Sequence, residues 1–429
     1  MASIASLPVE LVSDIFTKAC QGFFDSGTLL PSVKDDSLFF QTALWLSSVS
    51  ASWREIALAT PQLWSSIVFE LNGEHDVDFD VDILQMRLER SRNFPLHLTF
   101  EKSNSKSPSL SHVQDIWDTA VPHLSRCWRL SFLNISATYF TFLFPLPGVL
   151  KSLHWLDIHA RPKKRSSVPT IEQIFNAEQS ICAPSLKRFA MSGAHCPPTA
   201  VMNISHLRVV FGSNMPFTYS NLRGFIERNP TLETLVMASS ESSDSDGDPI
   251  TLPQLKYLGL GPIRWSNFLF APNVEHVVLS HNRMDTIEHI TSNFPAIRRL
   301  SISALPRASQ IEQGLAAGTA SLPQLPLIRR LDIHQCPSIY AILRLVTRHI
   351  DRLPALTEVH IYRSARLDVE SIALINALLH AGPNVMVWCD SQTLSSSRRW
   401  RGWDHLPALF EGRVHQLMEP VIPLWAEDL

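Results

Sequence analysis

The chain has 429 residues, 45% of them hydrophobic and 18% charged, and its 37 basic and 40 acidic side chains leave a formal charge of -3. That length spans one to three domains at about 150 residues each, and the apolar content excludes disorder throughout. The near balance of charge supplies no global field to attract a polyanion or an acidic lipid surface.

The first residues, MASIASLPVELVSDIF, lack a basic stretch and reach Glu10 and Asp14 before any long apolar run, so no signal peptide is expected. Leu7, Leu11, Ile15 and Ala19 recur every four residues, with Val12 and Phe16 widening the stripe and Pro8 fit for the first helical position. This predicts an amphipathic helix, with Glu10 near the positive end of its dipole. A second periodic segment places Trp45, Val49, Trp53 and Ile56 along another helix, which Pro61 stops or redirects. Two helices joined by Gly22 to Asp36 make a marginal core of about 60 residues, so part of their apolar surface suits a partner. The plainer reading is a helical cap on the following domain.

Leu7-Pro8-x-Glu10-Leu11-x-x-x-Ile15-Phe16, then Val49-Ser50-x-Ser52-Trp53-Arg54-x-Ile56-Ala57 and Thr60-Pro61-x-Leu63-Trp64, together resemble the F-box family. The closing Pro-x-Leu-Trp is similar to F-box proteins of mushroom-forming fungi, in which an F-box heads a leucine-rich-repeat-like body. The resemblance implies that Leu7, Pro8, Leu11, Ile15, Phe16, Val49 and Trp53 bind the small adaptor of an SCF-type cullin-RING ubiquitin ligase. The departure is the Gln21 to Phe40 insert, longer than the usual connection and acidic at Asp35 and Asp36.

Beyond this module an L-x-x-L-x-L pattern returns, most clearly from Leu153, Leu186, Leu232, Leu255, Val274, Ile297, Ile328 and Leu356. From Leu232 the starts lie 23, 19, 23, 31 and 28 residues apart, close to the roughly 20 to 29 of leucine-rich repeats. A weaker copy starts at Leu207 and meets Gly212 at its last anchor, and further copies start at Trp64, Pro95 and Cys127. The last two anchors of each unit sit two apart, so they enter one side of a short strand while the residue between them faces the other way. Helical patterns lie between strands at Ile171/Ile174/Phe175, Leu222/Phe225/Ile226, Ile287/Ile290, Ile339/Ile342/Leu343/Val346 and Ile372/Ile375/Leu379.

The expected fold is therefore α/β: an F-box-like helical module over residues 1–68 and a curved leucine-rich-repeat-like solenoid over 69–395. A capping or recognition tail over 396–429 carries Trp400, Trp403 and Trp425. The structural rival is an open α/β sandwich with helices on both faces.

Chemical signals are sparse. Phosphate loops, nucleophile elbows and H-E-x-x-H motifs are absent from the sequence. His154, His159, His334 and His360 have the pKa for acid-base work but no partner legible from sequence. Cys20, Cys127, Cys182, Cys196, Cys336 and Cys389 lack disulfide or zinc spacing and read as reduced intracellular thiols. The basic run Arg161, Lys163, Lys164, Arg165 reads as a solvated loop, with nuclear import as its alternative. The acidic run from Glu241 to Asp248 reads as a flexible loop, since it lacks the ligand register of an EF-hand.

The expected function is the substrate-recognition subunit of an SCF-type ligase, non-catalytic, cytoplasmic or nuclear, and needing no cofactor or metal. Nucleic acid and membrane are not expected partners. Repeat arithmetic and the resemblance together place the protein target on Arg299, Arg330, Asp332, His334, Glu358, His360 and Tyr362, at outward strand positions. The alternatives are a leucine-rich-repeat scaffold without ligase attachment and a divergent α/β hydrolase or transferase.

Overall fold

The computed structural model describes residues 7–21, 43–71, 77–102, 108–136, 139, 150–161, 183–192, 203–210, 219–238, 249–261, 269–280, 290–303, 324–334, 339–362, 369–381, 385–390 and 414–417. The chain divides into two compact units, one built mainly from Met1–Met215 and the other mainly from Pro230–Ile422.

The first unit opens with helices at Val9–Gln21, 43–49 and Ala51–Ala59, then a 3-10 turn at Pro61–Trp64. The single helix expected through Trp45, Val49, Trp53 and Ile56 is thus two. Ser50 is extended, and its hydroxyl caps the second helix by accepting from the Trp53 N–H at 3.1 Å. Ser47 and Ser48 donate back to the carbonyls of Leu44 and Trp45, and Arg54 Nε donates to Ser47 O. A serine-rich joint competes for the backbone bonds that a continuous helix needs, and periodicity does not sense that competition.

Parallel strands follow: β1 Ser66–Glu70, β2 Leu96–Glu101, β3 Cys127–Ser136, β4 Trp155–Arg161, β5 Arg188–Ser192 and β6 His206–Val210, each paired with the next. Parallel neighbours require a crossover, supplied between β1 and β2 by helix Val77–Arg90 and between β2 and β3 by helix Leu110–Ala120. Register aligns Ile67, Leu98, Leu130, Leu156, Phe189 and Leu207 as one buried row. Trp117 of the second crossover helix lies 5.7 Å, centroid to centroid, from both Phe100 and Phe132, which fastens that helix to this side of the sheet.

Register also corrects one expectation. Leu207 pairs with Phe189, the second anchor of the preceding copy, so the copy begins at Ile204 and its last anchor falls at position 209, within the strand. Ile204 is fully buried, and its N–H reaches Asn229 Oδ1 at 3.0 Å. The starts at Trp64, Pro95 and Cys127 do place their second anchors in the row.

The second unit repeats the scheme with β7 Thr234–Ala238, β8 Ile250–Thr251, β9 Tyr257–Leu260, β10 Leu269–Phe270, β11 His276–Ser280, β12 Arg299–Ser303, β13 Arg330–His334, β14 Glu358–Tyr362, β15 Met386–Asp390 and β16 Val414–Leu417. β8 and β10 pair with each other, and the rest form parallel neighbours in chain order. Leu235, Leu258, Val277, Leu300, Leu331, Val359 and Val387 share one register row and are buried. Within the expected tail only β16 is described, and it extends this pairing.

Five of these strands, β9, β11, β12, β13 and β14, are entered through a turn. The N–H groups of Leu255, Val274, Ile297, Ile328 and Leu356 bond to the carbonyls of Leu252, Ala271, Phe294, Leu325 and Leu353, and the second turn position is Pro253, Pro272, Pro295, Pro326 and Pro354. Proline presets the φ that this position requires. Both ends of each turn are buried apolar residues, so the turn belongs to the core as well as the connection.

The expected helices at Leu222, Ile339 and Ile372 occur at Tyr219–Arg228, Ile339–Arg348 and Val369–Ala381, and Ile290–Asn293 covers part of a fourth. The pattern at Ile171, the Gln21 to Phe40 insert after Gln21 itself, the basic run past Arg161, the acidic run 241–248 and the tail tryptophans lie outside the described residues. Among the described residues no helix is long and apolar enough to cross a membrane.

Candidate functional site

Two surfaces carry the residues singled out from the sequence. In the N-terminal module, Val12 and Phe16 join Ala43, Ile56, Ala57, Leu63 and Trp64 in one buried cluster. Trp64 Nε1 donates to Ala57 O at 2.8 Å, and the Ser13 and Thr60 hydroxyls meet at 2.8 Å, which ties the first helix to the closing turn. The apolar stripe of the first helix is wider than the core it faces. Leu11 and Ile15 remain 51% and 44% exposed, and from the other helices Leu44, Trp45 and Val49 remain 41%, 60% and 61% exposed. Leu7 and Pro8 are exposed as well.

Of the seven residues assigned to an adaptor, five (Leu7, Pro8, Leu11, Ile15 and Val49) thus lie at the surface. Phe16 does not: it is 1% exposed, and half-buried Trp53 packs on it with ring centroids 4.8 Å apart. Phe16 is a core residue because it sits about 100° around the helix from Ile15, on the side that meets Ile56 and Leu63.

In the second unit the expected target residues form registered rows. Arg299, Arg330 and Glu358 are neighbours on β12, β13 and β14; Ser301, Asp332 and His360 make the next row, and Ser303, His334 and Tyr362 the third. The middle row is not solvated as expected, since Ser301, Asp332 and His360 are all buried. The long guanidinium arms account for this by folding down onto the shorter carboxylate. Asp332 Oδ2 accepts from Arg299 Nε and from Ser301 Oγ (3.0 Å), and its Oδ1 accepts from Arg330 Nε (2.9 Å).

Burial pushes the Asp332 carboxyl up, but the two guanidiniums more than compensate and hold it below its ordinary value. His360 bonds Glu358 at 3.0 Å, and burial and Arg330 hold its pKa below the usual imidazole value. The side chains of His334 and Tyr362 lie outside the described residues.

The first unit contains a second copy of this arrangement that the sequence reading missed. Asp157 Oδ2 accepts from Arg129 Nη2 (3.1 Å) and Ser131 Oγ (2.8 Å), and Oδ1 accepts from Trp155 Nε1 (2.6 Å). Arg129-Leu130-Ser131 corresponds to Arg299-Leu300-Ser301, and Leu156-Asp157-Ile158-His159 to Leu331-Asp332-Ile333-His334. Register pairs Arg129 with Trp155 where the other unit pairs Arg299 with Arg330. The recurring R-L-S and L-D-I-H strings were the available signal. Trp155 lies under Arg129 at 4.2 Å and Arg188 at 5.0 Å, and Trp128 stacks between His97 (5.2 Å) and His154 (5.6 Å). Burial, then Arg129, lowers the His97 pKa to about 4.

For bond-making chemistry the described residues offer little. Burial pushes the Cys127 thiol up to about 12, the opposite of an activated nucleophile. His112 Nε2 meets Asp80 Oδ2 at 3.0 Å, but both side chains are buried between two helices. No group of three or more His, Cys, Asp and Glu positioned for a metal occurs among the described residues.

No protein-family model matches this chain, and no curated protein matches it. Among solved structures, one of a protein from Bacteroides fragilis is 14% identical, with a TM-score of 0.31 over 78% of this chain and 76% of that one. A likeness that slight bears on neither fold nor function.

Proposed function

We propose that the chain is the target-recruiting subunit of an SCF-type cullin-RING ubiquitin ligase: the N-terminal helices dock on the adaptor, and the outward strand face takes a protein target. The observation that carries this reading is the apolar surface of Leu11, Ile15, Leu44, Trp45 and Val49, left exposed by a module whose own core is already filled by Val12, Phe16 and Trp64. Exposed apolar residues gathered on a small helical module are the usual mark of a protein contact. The F-box-like motifs on those helices name the partner. The chain then breaks and makes no bond itself; holding a target lysine near a charged ubiquitin carrier accelerates transfer by proximity.

Binding of the purified chain to an SCF adaptor tests this directly. Leu11→Ala/Ile15→Ala/Val49→Ala removes surface residues and leaves the core intact, and each burial contributes roughly 1.5 to 3 kcal/mol, so affinity should fall by well over tenfold without loss of fold. No adaptor binding by the unaltered chain would leave a repeat scaffold without ligase attachment as the function.

A further inference from the structure

The two copies of the arginine, serine and aspartate arrangement differ in one respect. In the first unit Arg129 gives both Nε and Nη2 to Asp157, lies against the Trp155 indole, and its side chain is 6% exposed. That copy is closed by the chain itself. In the second unit the position of Trp155 is taken by Arg330, and among the described residues no indole roofs Arg299. Arg299 gives only Nε to the carboxylate, keeps 27% of its side chain exposed, and has a buried Nη2 with no acceptor among the described residues. An unmet buried donor is costly.

The surroundings favour an anion. Arg298 and Arg329 are exposed and directly precede Arg299 and Arg330 at the entries of β12 and β13, and the Arg329 and Arg330 N–H groups both bond to Arg298 O. At the same edge stand Asp332, Glu358 and Glu275, the last joined through its carbonyl to Arg298 N–H. By register position, four arginines and three carboxylates lie along these strands, a surplus of one positive charge, which a single carboxylate neutralises and a phosphate dianion overshoots. Guanidinium forks also match a planar carboxylate in geometry.

We infer that the β12–β13 edge of the second unit is a receptor for an acidic peptide segment, in which a glutamate or aspartate of a partner protein engages Arg299 and Arg330 while Asp332 acts as the positioning residue beneath them. This deepens the proposed recruitment role by naming the chemistry of the target, and it rests on reading the strand face as the target surface.

Selection of displayed random octapeptides on the purified full chain, followed by affinity measurements on individual peptides, tests it without any adaptor present. Enriched peptides should share an acidic residue whose replacement by glutamine weakens binding at least tenfold. Arg299→Lys keeps the charge but loses the fork and should erase most of that preference; surface Arg329→Gln, which leaves Asp332 untouched, should weaken binding severalfold. Arg188→Lys in the first unit should change nothing. Enrichment without acidic residues, no enrichment, or equal affinities for Arg299→Lys and the unaltered chain would overturn the inference. So would tighter binding of phosphoserine than of glutamate at the same peptide position. Adaptor binding read separately tells failure of the ligase role from failure of this site.

Discussion

Replacing Asp332 by asparagine keeps the shape of the side chain and removes its charge, which isolates what the carboxylate does for the second unit. Asparagine can accept at one atom only, so its amide NH2 must face either Arg330, or Arg299 and Ser301 together, and in both orientations one guanidinium bond to Asp332 turns into a clash of donors. Removing one member of a buried ion pair costs about 3 to 5 kcal/mol. The Arg299 and Arg330 side chains are 27% and 26% exposed and can recover some hydration, which places Asp332→Asn near the lower end, about 3 kcal/mol. Arg129 is 6% exposed and has no such recourse, so Asp157→Asn should reach the upper end, about 5 kcal/mol. Urea unfolding combined with amide exchange on β13 and β4 reads the two units separately. The Asp332 carboxyl is held below its ordinary value of about 3.9, so its contribution is full above that pH and is lost as pH falls through the lower folded value. The gap between wild type and Asp332→Asn should therefore close only in strong acid. Variants within about 0.5 kcal/mol of wild type, or Asp332→Asn costing more than Asp157→Asn, would refute the reasoning.

Two further outcomes follow from the same packing. Leu331→Ala should destabilise the second unit by roughly 2 to 5 kcal/mol, because Leu331 sits between Leu300 and Val359 in a buried row; a loss under 1 kcal/mol in urea unfolding would show that the site collapses around the gap. His97, with its pKa lowered to about 4, is neutral in the folded first unit, so stability present above about pH 6.5 is lost as pH falls from there toward 4, by at most about 3 kcal/mol. His97→Gln should flatten that portion of the pH-stability curve, and an unchanged curve would exclude His97 as its source.

The strand register was legible because its determinant is local: Leu258, Val277, Leu300, Leu331 and Val359 each stand three residues after an apolar start, and all five align. The prolines at 253, 272, 295, 326 and 354 reinforce the same reading, one residue after the buried opening of each turn. What failed was whatever depends on competition or on reach. Ser50 breaks a helix whose apolar spacing runs straight through it. Leu207 looks like a first anchor until pairing with Phe189 assigns it to the second. Alternation correctly put Asp332 and His360 opposite the hydrophobic row but equated that face with solvent, since strand periodicity gives a direction and says nothing of the arginine arms that close over it. Along the apolar stripe of the first helix, only packing separates the exposed Leu11 and Ile15 from the buried Val12 and Phe16.

Because the strands of the second unit from β12 onward pair with chain neighbours alone, the partners of Leu300 and Leu331 lie one short step away, 23 residues from Val277 to Leu300, 31 to Leu331 and 28 to Val359. Contact order in such an array does not grow as strands are added. The loop-closure entropy for docking each strand is that of one short step, and the rate of that docking is set locally. Folding can begin at any well-packed neighbour pair and spread in either direction. A damaged strand should then halt propagation at its own position, so that a partly folded chain keeps one contiguous block of ordered strands while the remainder opens.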